Sequence, residues 1–129
     1  MILRKQKGNQ CILYSLSMCI DIKPEELVIY ARHDGSDVSR TFNIEEFVSY
    51  LYNRNFSAIP FVSRAEYCGE IVELLNQPPL HLRGVLIYGK HAVAWDGKNI
   101  YDPHGKIYPL IQGWDVFWLI DHLELITHK

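Results

Sequence analysis

Cysteine and histidine side chains offer the most reactive groups in this chain, and Cys11 has the most informative setting. It lies in the stretch GNQCILYSLSMCI, whose apolar residues have the spacing of a helix that begins at Gln10. In the first turn of a helix, backbone N–H groups and the helix dipole stabilise a thiolate and can bind an oxyanion. Cys11 is therefore a candidate nucleophile, with a purely structural role as the alternative. We expect Cys19, on the apolar face of that helix, and Cys68 to be structural.

A second candidate group lies in the stretch HAVAWDGKNIYDPHG. Asp96-Gly97 between two runs of alternating residues predicts a β-hairpin with a two-residue type I′ turn. In that register His91 faces Asp102, with Cβ atoms about 4.5–5.5 Å apart. Such a contact would fix the tautomer of the imidazole and stabilise the imidazolium, although an ordinary cross-strand charge pair is the alternative. A four-residue loop would instead place His104 opposite His91.

Taken together, the two features indicate nucleophilic catalysis. A thiol at a helix start and a distant His–Asp pair form the Cys-His-Asp arrangement, in which the base need not be near the nucleophile in sequence.

The elements that must position these residues fall into two groups. The first part of the chain predicts a short strand over residues 1–6, then helices over 10–20, 24–32, 44–55 and 65–76, with Asn9 and Asn43 as N-caps. RHDGSD predicts a loop and FSAIPFV a short extended piece. The later stretches GVLIYG, HAVAW, NIYD and VFWLI are rich in β-branched and aromatic residues and predict an antiparallel sheet. This segregation is typical of an α+β fold, here as one domain over residues 1–129.

Composition excludes several classes of function. With 48% hydrophobic and 22% charged residues, the chain has the composition of a globular protein. A net charge of −2 with scattered basic residues gives no reason to expect nucleic-acid binding. We expect no membrane span and no secretory signal, hence a cytoplasmic protein with free thiols, since the three cysteines are odd in number. Without CxxC, HxH or HxxxH spacing, we expect no metal site and no cofactor.

Both motifs resemble those of a known superfamily. QKGNQCILYSLSMCI resembles the glutamine-to-cysteine helix opening of papain-like cysteine peptidases. The resemblance is closest to the compact branch that includes the bacterial double-glycine leader peptidases of bacteriocin exporters. HAVAWDGKNIYDPHG resembles the second motif of that branch, in which His begins one strand and Asp-Pro-x-Gly ends the next. The whole chain is also similar to small stand-alone members encoded by phages and prophages.

The resemblance implies a papain-like fold, with a catalytic helix near residues 10–20 packed on a C-terminal antiparallel sheet. It implies that Cys11 is the nucleophile, His91 the general base and acid, and Asp102 the carboxylate that orients His91. It also implies a glutamine that donates to the oxyanion. We favour Gln6, five residues before Cys11 where the family usually has six, and Gln10 is the other candidate.

The implied activity is that of a cysteine peptidase that cleaves a peptide or isopeptide bond in a peptide or protein substrate. Two alternatives use the same residues or the same scaffold. One is an acyltransferase or transglutaminase-like enzyme, and the other is a non-catalytic binding protein of the phage type.

Overall fold

The structure, a computed structural model, describes residues 1–31, 42–63 and 73–124. The helices in these ranges are α1 (Cys11–Ile20), α2 (Pro24–Ala31) and α3 (Val48–Asn53), and a 3₁₀ turn over Ile44–Phe47 leads into α3. The strands are β1 (Ile59–Val62), β2 (Glu73–Leu74), β3 (Gly84–Tyr88), β4 (His91–Trp95), β5 (Asn99–Asp102), β6 (Lys106–Pro109) and β7 (Val116–Leu119). None of the helices in the described ranges is long and apolar enough to cross a membrane.

The strands form one sheet in the order β2-β1-β7-β3-β4-β5-β6. Strand β2 pairs with β1 in parallel, and every other neighbouring pair is antiparallel. Helices come first along the chain and the antiparallel strands come later, so the predicted α+β class is confirmed. The central strands β3 and β4 are joined by a tight turn at Gly89, which adopts a positive φ of 57°.

Helix α1 is the central helix of the structure. It packs on β4 and β3 on one side and on α2 on another. Every side chain from Leu13 to Ile20 is buried. The sequence predicts that only one face of this helix is buried, whereas the structure buries its whole circumference. Strand β4 turns Ala92 and Ala94 toward this helix cluster, and their small side chains allow a close approach of helix and sheet.

The opposite face of the sheet is also covered by apolar side chains. Val93 and Trp95 of β4 lie there, in a cluster with Leu86, Phe117 and Trp114. Alternate residues of β4 therefore enter two different cores, as the two-residue period of a strand requires. Because both faces of β4 are packed, the position of His91 at its first residue is fixed by the fold.

Several predicted elements differ from the observed ones. Residues 1–6 form no strand, because their N–H groups bond elsewhere: Arg4 N–H to Met18 Sδ at 3.2 Å and Gln6 N–H to the Pro103 carbonyl at 2.7 Å. The end of the predicted fourth helix is instead strand β2, which adds to the edge of β1. The rest of that helix, with Cys68, lies outside the described residues, as does the predicted RHDGSD loop.

Two other predictions are confirmed. FSAIPFV contains β1. Asn43 stands at the start of the third helical segment, where its N–H donates to the Glu46 carboxylate at 2.7 Å in a capping arrangement.

Candidate active site

Cys11 is the first residue of α1, directly after Gln10 at the N-cap position. The prediction that Asn9 caps this helix is wrong, because the chain turns into the helix one residue later, at Gln10 (φ −115°, ψ 38°). The first N–H groups of a helix have no carbonyl partner within it, so Cys11 lies beside donors that can hold an anion. Its thiol is partly exposed, and Sγ lies 4.0 Å from the carbonyl oxygen of Lys90, the residue before His91.

Cys19 is in the opposite situation, as predicted. It is 1% exposed, and its Sγ donates to the Gly84 carbonyl oxygen at 3.1 Å. Burial raises the pKa of the Cys19 thiol to about 12. Cys19 is therefore a protonated core residue, and Cys11 is the described cysteine with a setting suited to nucleophilic chemistry.

His91 and Asp102 meet across the β4–β5 hairpin, but the predicted register is wrong. Trp95 pairs with Ile100, so the loop between the strands has four residues rather than two. A shift of two residues keeps the same side chains on the same face, because alternate residues of a strand share a face. His91 Nε2 therefore still lies 2.9 Å from Asp102 Oδ1, now as a diagonal neighbour across the hairpin.

The longer loop has a local cause in Asp96. Its Oδ1 accepts the N–H of Lys98 at 2.8 Å and the N–H of Asn99 at 2.6 Å. An aspartate that bonds the backbone two and three residues ahead closes a wider turn than a type I′ turn. Gly97 still supplies the positive φ of 96° that this turn needs, so the residues of the turn were identified correctly and its length was not.

The Asp102 carboxylate is buried and holds three hydrogen bonds. Besides His91, the His104 N–H donates to Oδ1 at 2.9 Å and the Tyr108 hydroxyl donates to Oδ2 at 2.7 Å. Burial on its own would raise the pKa of Asp102, but the bonds from His104, Tyr108 and His91 outweigh it and lower the pKa. Asp102 is therefore a charged, fixed acceptor at neutral pH.

This acceptor decides the tautomer of His91. A carboxylate accepts hydrogen bonds, so the neutral imidazole carries its proton on Nε2 and keeps the lone pair on Nδ1. The ring is about one-third exposed, at 31% of its side-chain surface. An imidazole held in this way can take a proton at Nδ1 while Asp102 stabilises the cation that forms.

Cys11 and His91 line one cavity of about 570 Å³, a size typical of substrate pockets. Gln6, Gln10 and His104 border the same cavity. Its apolar wall is formed by Ile12, Leu13, Phe42, Ile87 and Ala92. The fold thus brings the predicted nucleophile, the predicted base and both candidate oxyanion residues to one space, at the end of the sheet where β4 begins.

The two glutamines occupy different positions at this cavity. Gln6 is tied to the turn after Asp102 through its N–H bond to the Pro103 carbonyl oxygen. Its side-chain Nε2 donates to the Gly8 carbonyl oxygen at 2.5 Å, and its Oε1 is buried without a hydrogen-bond partner among the described residues. Gln10 belongs to the helix start, where its carbonyl oxygen accepts the Tyr14 N–H.

Two further residues belong to the site: His104, which the sequence places opposite His91 only in the alternative register with a four-residue loop, and Tyr108, which no sequence pattern singles out. His104 stacks on His91, with ring centroids 4.4 Å apart and planes 28° apart, and Tyr108 anchors the far oxygen of Asp102. The observed four-residue loop is that alternative register, so the expected placement of His104 opposite His91 is confirmed. Tyr108 comes from the tight β5–β6 turn, where Asp102 pairs with Lys106 and brings the next strand back beside the carboxylate.

No protein-family model, curated protein or solved structure matches this chain. The residues themselves are therefore what indicates a function. A helix-start thiol and a carboxylate-held imidazole that open onto one cavity form an arrangement suited to nucleophilic acyl transfer.

Proposed function

We propose that this protein is a papain-like cysteine peptidase that hydrolyses a peptide or isopeptide bond. The observation that carries the proposal is the shared cavity of Cys11 and His91, with His91 Nε2 held by Asp102 at 2.9 Å. A papain-like arrangement is further supported by a buried central helix that starts at the thiol and packs on β4, the strand that starts at the imidazole.

In the proposed reaction, His91 Nδ1 takes the proton of the Cys11 thiol, and the thiolate attacks the carbonyl carbon of the substrate. The tetrahedral oxyanion is held by the Cys11 N–H and by a glutamine side chain. His91 then gives its proton to the leaving amine as the C–N bond breaks, which leaves a thioester on Cys11. Water, deprotonated by His91, attacks the thioester, releases the carboxylic acid and restores the thiol.

Asp102 takes part without exchanging a proton. Its lowered pKa keeps it charged while His91 becomes an imidazolium, and its bonds to His104 and Tyr108 prevent it from moving with the ring. Gln6 is our preferred oxyanion donor. Gln6 borders the cavity, and its backbone is fixed to the turn beyond Asp102. In this role its Nε2 would exchange the Gly8 carbonyl oxygen for the oxyanion.

A peptide with an electrophilic warhead tests the proposal directly. We expect it to modify Cys11, as located by peptide mass mapping, and we expect Cys11→Ala and His91→Ala each to abolish the labelling while the far-UV circular dichroism stays unchanged. His81→Asn is the matched control: His81 is exposed and has a positive φ of 67°, which asparagine tolerates. Labelling that survives Cys11→Ala would remove the proposed nucleophile.

The fate of the acyl-enzyme separates hydrolysis from the related activities. Release of the acyl group to water at a rate independent of added amines supports a peptidase. Transfer to an added primary amine in preference to water would assign an acyltransferase or transglutaminase-like reaction to the same triad. A Cys11 thiol that reacts no faster than a free cysteine would indicate a binding protein on this scaffold.

A further inference from the structure

His91, Asp102 and His104 bring three metal-ligating groups together. One ring nitrogen of each histidine and one carboxylate oxygen all lie within 4.8 Å of one another. His91 Nε2 is 2.9 Å and His104 Nδ1 is 3.8 Å from Asp102 Oδ1. Ligands at zinc-bond lengths of about 2.0–2.2 Å around a tetrahedral ion are roughly 3.3–3.6 Å apart. The distances to Asp102 Oδ1 are therefore close to those of a zinc site, and a rotation of one imidazole ring would complete the geometry.

The ligand types fit the same ion. Two imidazoles and one carboxylate form one of the three-residue sets that hold zinc with a fourth position open to water. The three ligands come from adjacent segments of the hairpin: His91 begins β4, Asp102 ends β5 and His104 lies in the turn that follows. The spacing of these residues matches no HxH or HxxxH pattern, which is why the sequence predicts no metal site here.

The surroundings of Asp102 support an ion at Oδ1. The Tyr108 hydroxyl holds the other oxygen, Oδ2, and the His104 N–H also donates to the carboxylate. Neither donor has to leave when an ion replaces the His91 N–H at Oδ1. Such outer hydrogen bonds orient a ligating carboxylate and strengthen metal binding.

One movement is required. The two rings are stacked, and an ion lies in the plane of each ring that binds it, so at least one ring must turn. The His104 side chain is 63% exposed. Its ring can therefore turn toward the ion without disturbing the core.

We propose that His91, Asp102 and His104 form a zinc-binding site that switches off the thiol chemistry. When Nε2 of a neutral imidazole binds an ion, the ring proton moves to Nδ1. Nδ1 then has no lone pair to accept the Cys11 proton, and Asp102 is engaged by the ion instead of by His91. The binding itself is independent of any enzymatic activity, whereas the inhibition rests on the proposed role of His91.

Binding is tested with zinc ions alone, in the Cys11→Ala protein so that the thiol contributes no ligand. Titration against a chromogenic zinc chelator is expected to show one ion per chain. Adding His104→Phe is expected to weaken the affinity by at least about tenfold. Phenylalanine retains an aromatic ring beside His91 and the backbone N–H that donates to Asp102, and it removes both ring nitrogens, including the Nδ1 that would bind the ion. His81→Asn in the same background is the matched control and should bind as its parent does.

Inhibition is tested by electrophile labelling of Cys11 with and without zinc. We expect zinc to slow labelling of the wild-type protein, a chelator to restore it, and His104→Phe to require at least about tenfold more zinc for the same effect. Absence of stoichiometric binding, or binding that His104→Phe leaves unchanged, overturns the site. Zinc binding without Cys11 labelling would contradict the peptidase and leave the metal site standing. Cys11 labelling without zinc binding would contradict the metal site and leave the proposed peptidase standing.

Discussion

Asp102 Oδ1 lies 2.9 Å from His91 Nε2, and the same carboxylate is held from the other side by the Tyr108 hydroxyl at 2.7 Å from Oδ2. The His104 N–H adds a third bond to Oδ1. The β5–β6 turn therefore sets the position of the carboxylate, and the carboxylate sets the orientation of the imidazole. Substitutions at the turn should change the reactivity of Cys11 without touching either Cys11 or His91.

Removing the Asp102 carboxylate should impair His91, the proposed general base. We expect Asp102→Ala to lower the second-order rate of Cys11 labelling by roughly 10²–10⁴-fold, because His91 loses both its fixed tautomer and its counter-charge. Asp102→Asn should lose less, since its amide oxygen still accepts from His91 and from the His104 N–H. Stopped-flow measurement of the Cys11 labelling rate in the wild type, Asp102→Asn and Asp102→Ala tests this ranking. Equal rates for Asp102→Ala and the wild type would exclude Asp102 from the triad.

Tyr108→Phe tests the support of the carboxylate. Burial and the bond to Asp102 raise the pKa of Tyr108, so its hydroxyl is a donor at neutral pH. Losing a hydrogen bond to a charged group should cost about 1.5–3 kcal/mol of unfolding free energy, with a slower Cys11 labelling rate. Urea denaturation measures the first effect, and Tyr52→Phe at the exposed Tyr52 is the control. Equal stabilities of the two variants would contradict this role of Tyr108.

Asp102 should also make stability depend on pH. Its pKa in the folded protein is below the ordinary value of 3.8, so the unfolded chain takes up the proton first as the pH falls. The stabilisation by the charged carboxylate is therefore complete above about pH 4 and is lost as the pH falls from there through the folded pKa. We expect the stability gap between the wild type and Asp102→Asn to narrow over that range. Chemical denaturation at several pH values measures this difference in unfolding free energy. A difference that grows as the pH falls would contradict the lowered pKa of Asp102.

The sequence was sufficient for the parts of this site that depend on local rules. Apolar spacing predicts the start of α1 to within one residue, at Gln10 instead of Cys11, and strand alternation predicts that His91 and Asp102 share one face. The shared face of His91 and Asp102 is observed although the turn is longer than predicted. The two extra loop residues shift the pairing by two positions, and side chains alternate with a period of two. A one-residue error would have separated the pair.

Other features depended on contacts between distant segments. The sequence predicts a short strand over residues 1–6, but the Gln6 N–H bonds to the Pro103 carbonyl oxygen and the Arg4 N–H to Met18 Sδ of α1. Strand β2 is only two residues long and exists by pairing with β1. Neither tertiary pairing has a local signal, so the sequence predicts a strand for the first segment and a helix for the second.

The two candidate glutamines can be separated by substitution. Loss of one oxyanion donor typically costs about 10²–10³-fold in rate, so we expect Gln6→Ala to reduce acyl-enzyme formation by that amount. Gln10→Ala should have a smaller effect, because its backbone carbonyl bond to Tyr14 is retained and the helix start is preserved. Single-turnover acylation with a peptide ester measures both. A larger loss for Gln10→Ala than for Gln6→Ala would reassign the oxyanion donor.

Gly84 begins β3, at the end of the β3–β4 pair away from His91, and it lies where β3 and β7 approach each other closely. A Cβ added there would lie 2.3 Å from both the Phe117 ring and the Trp118 carbonyl oxygen of β7. We expect Gly84→Ala to lower the unfolding free energy by about 1–3 kcal/mol or more, because strand β3 would have to move away from β7. Gly113→Ala is the comparison: a Cβ there meets nothing within 4 Å, and only its φ of 95° is strained, at about 1 kcal/mol. Urea denaturation of both variants measures the difference, and a Gly84→Ala protein as stable as the wild type would contradict the close packing of these two strands.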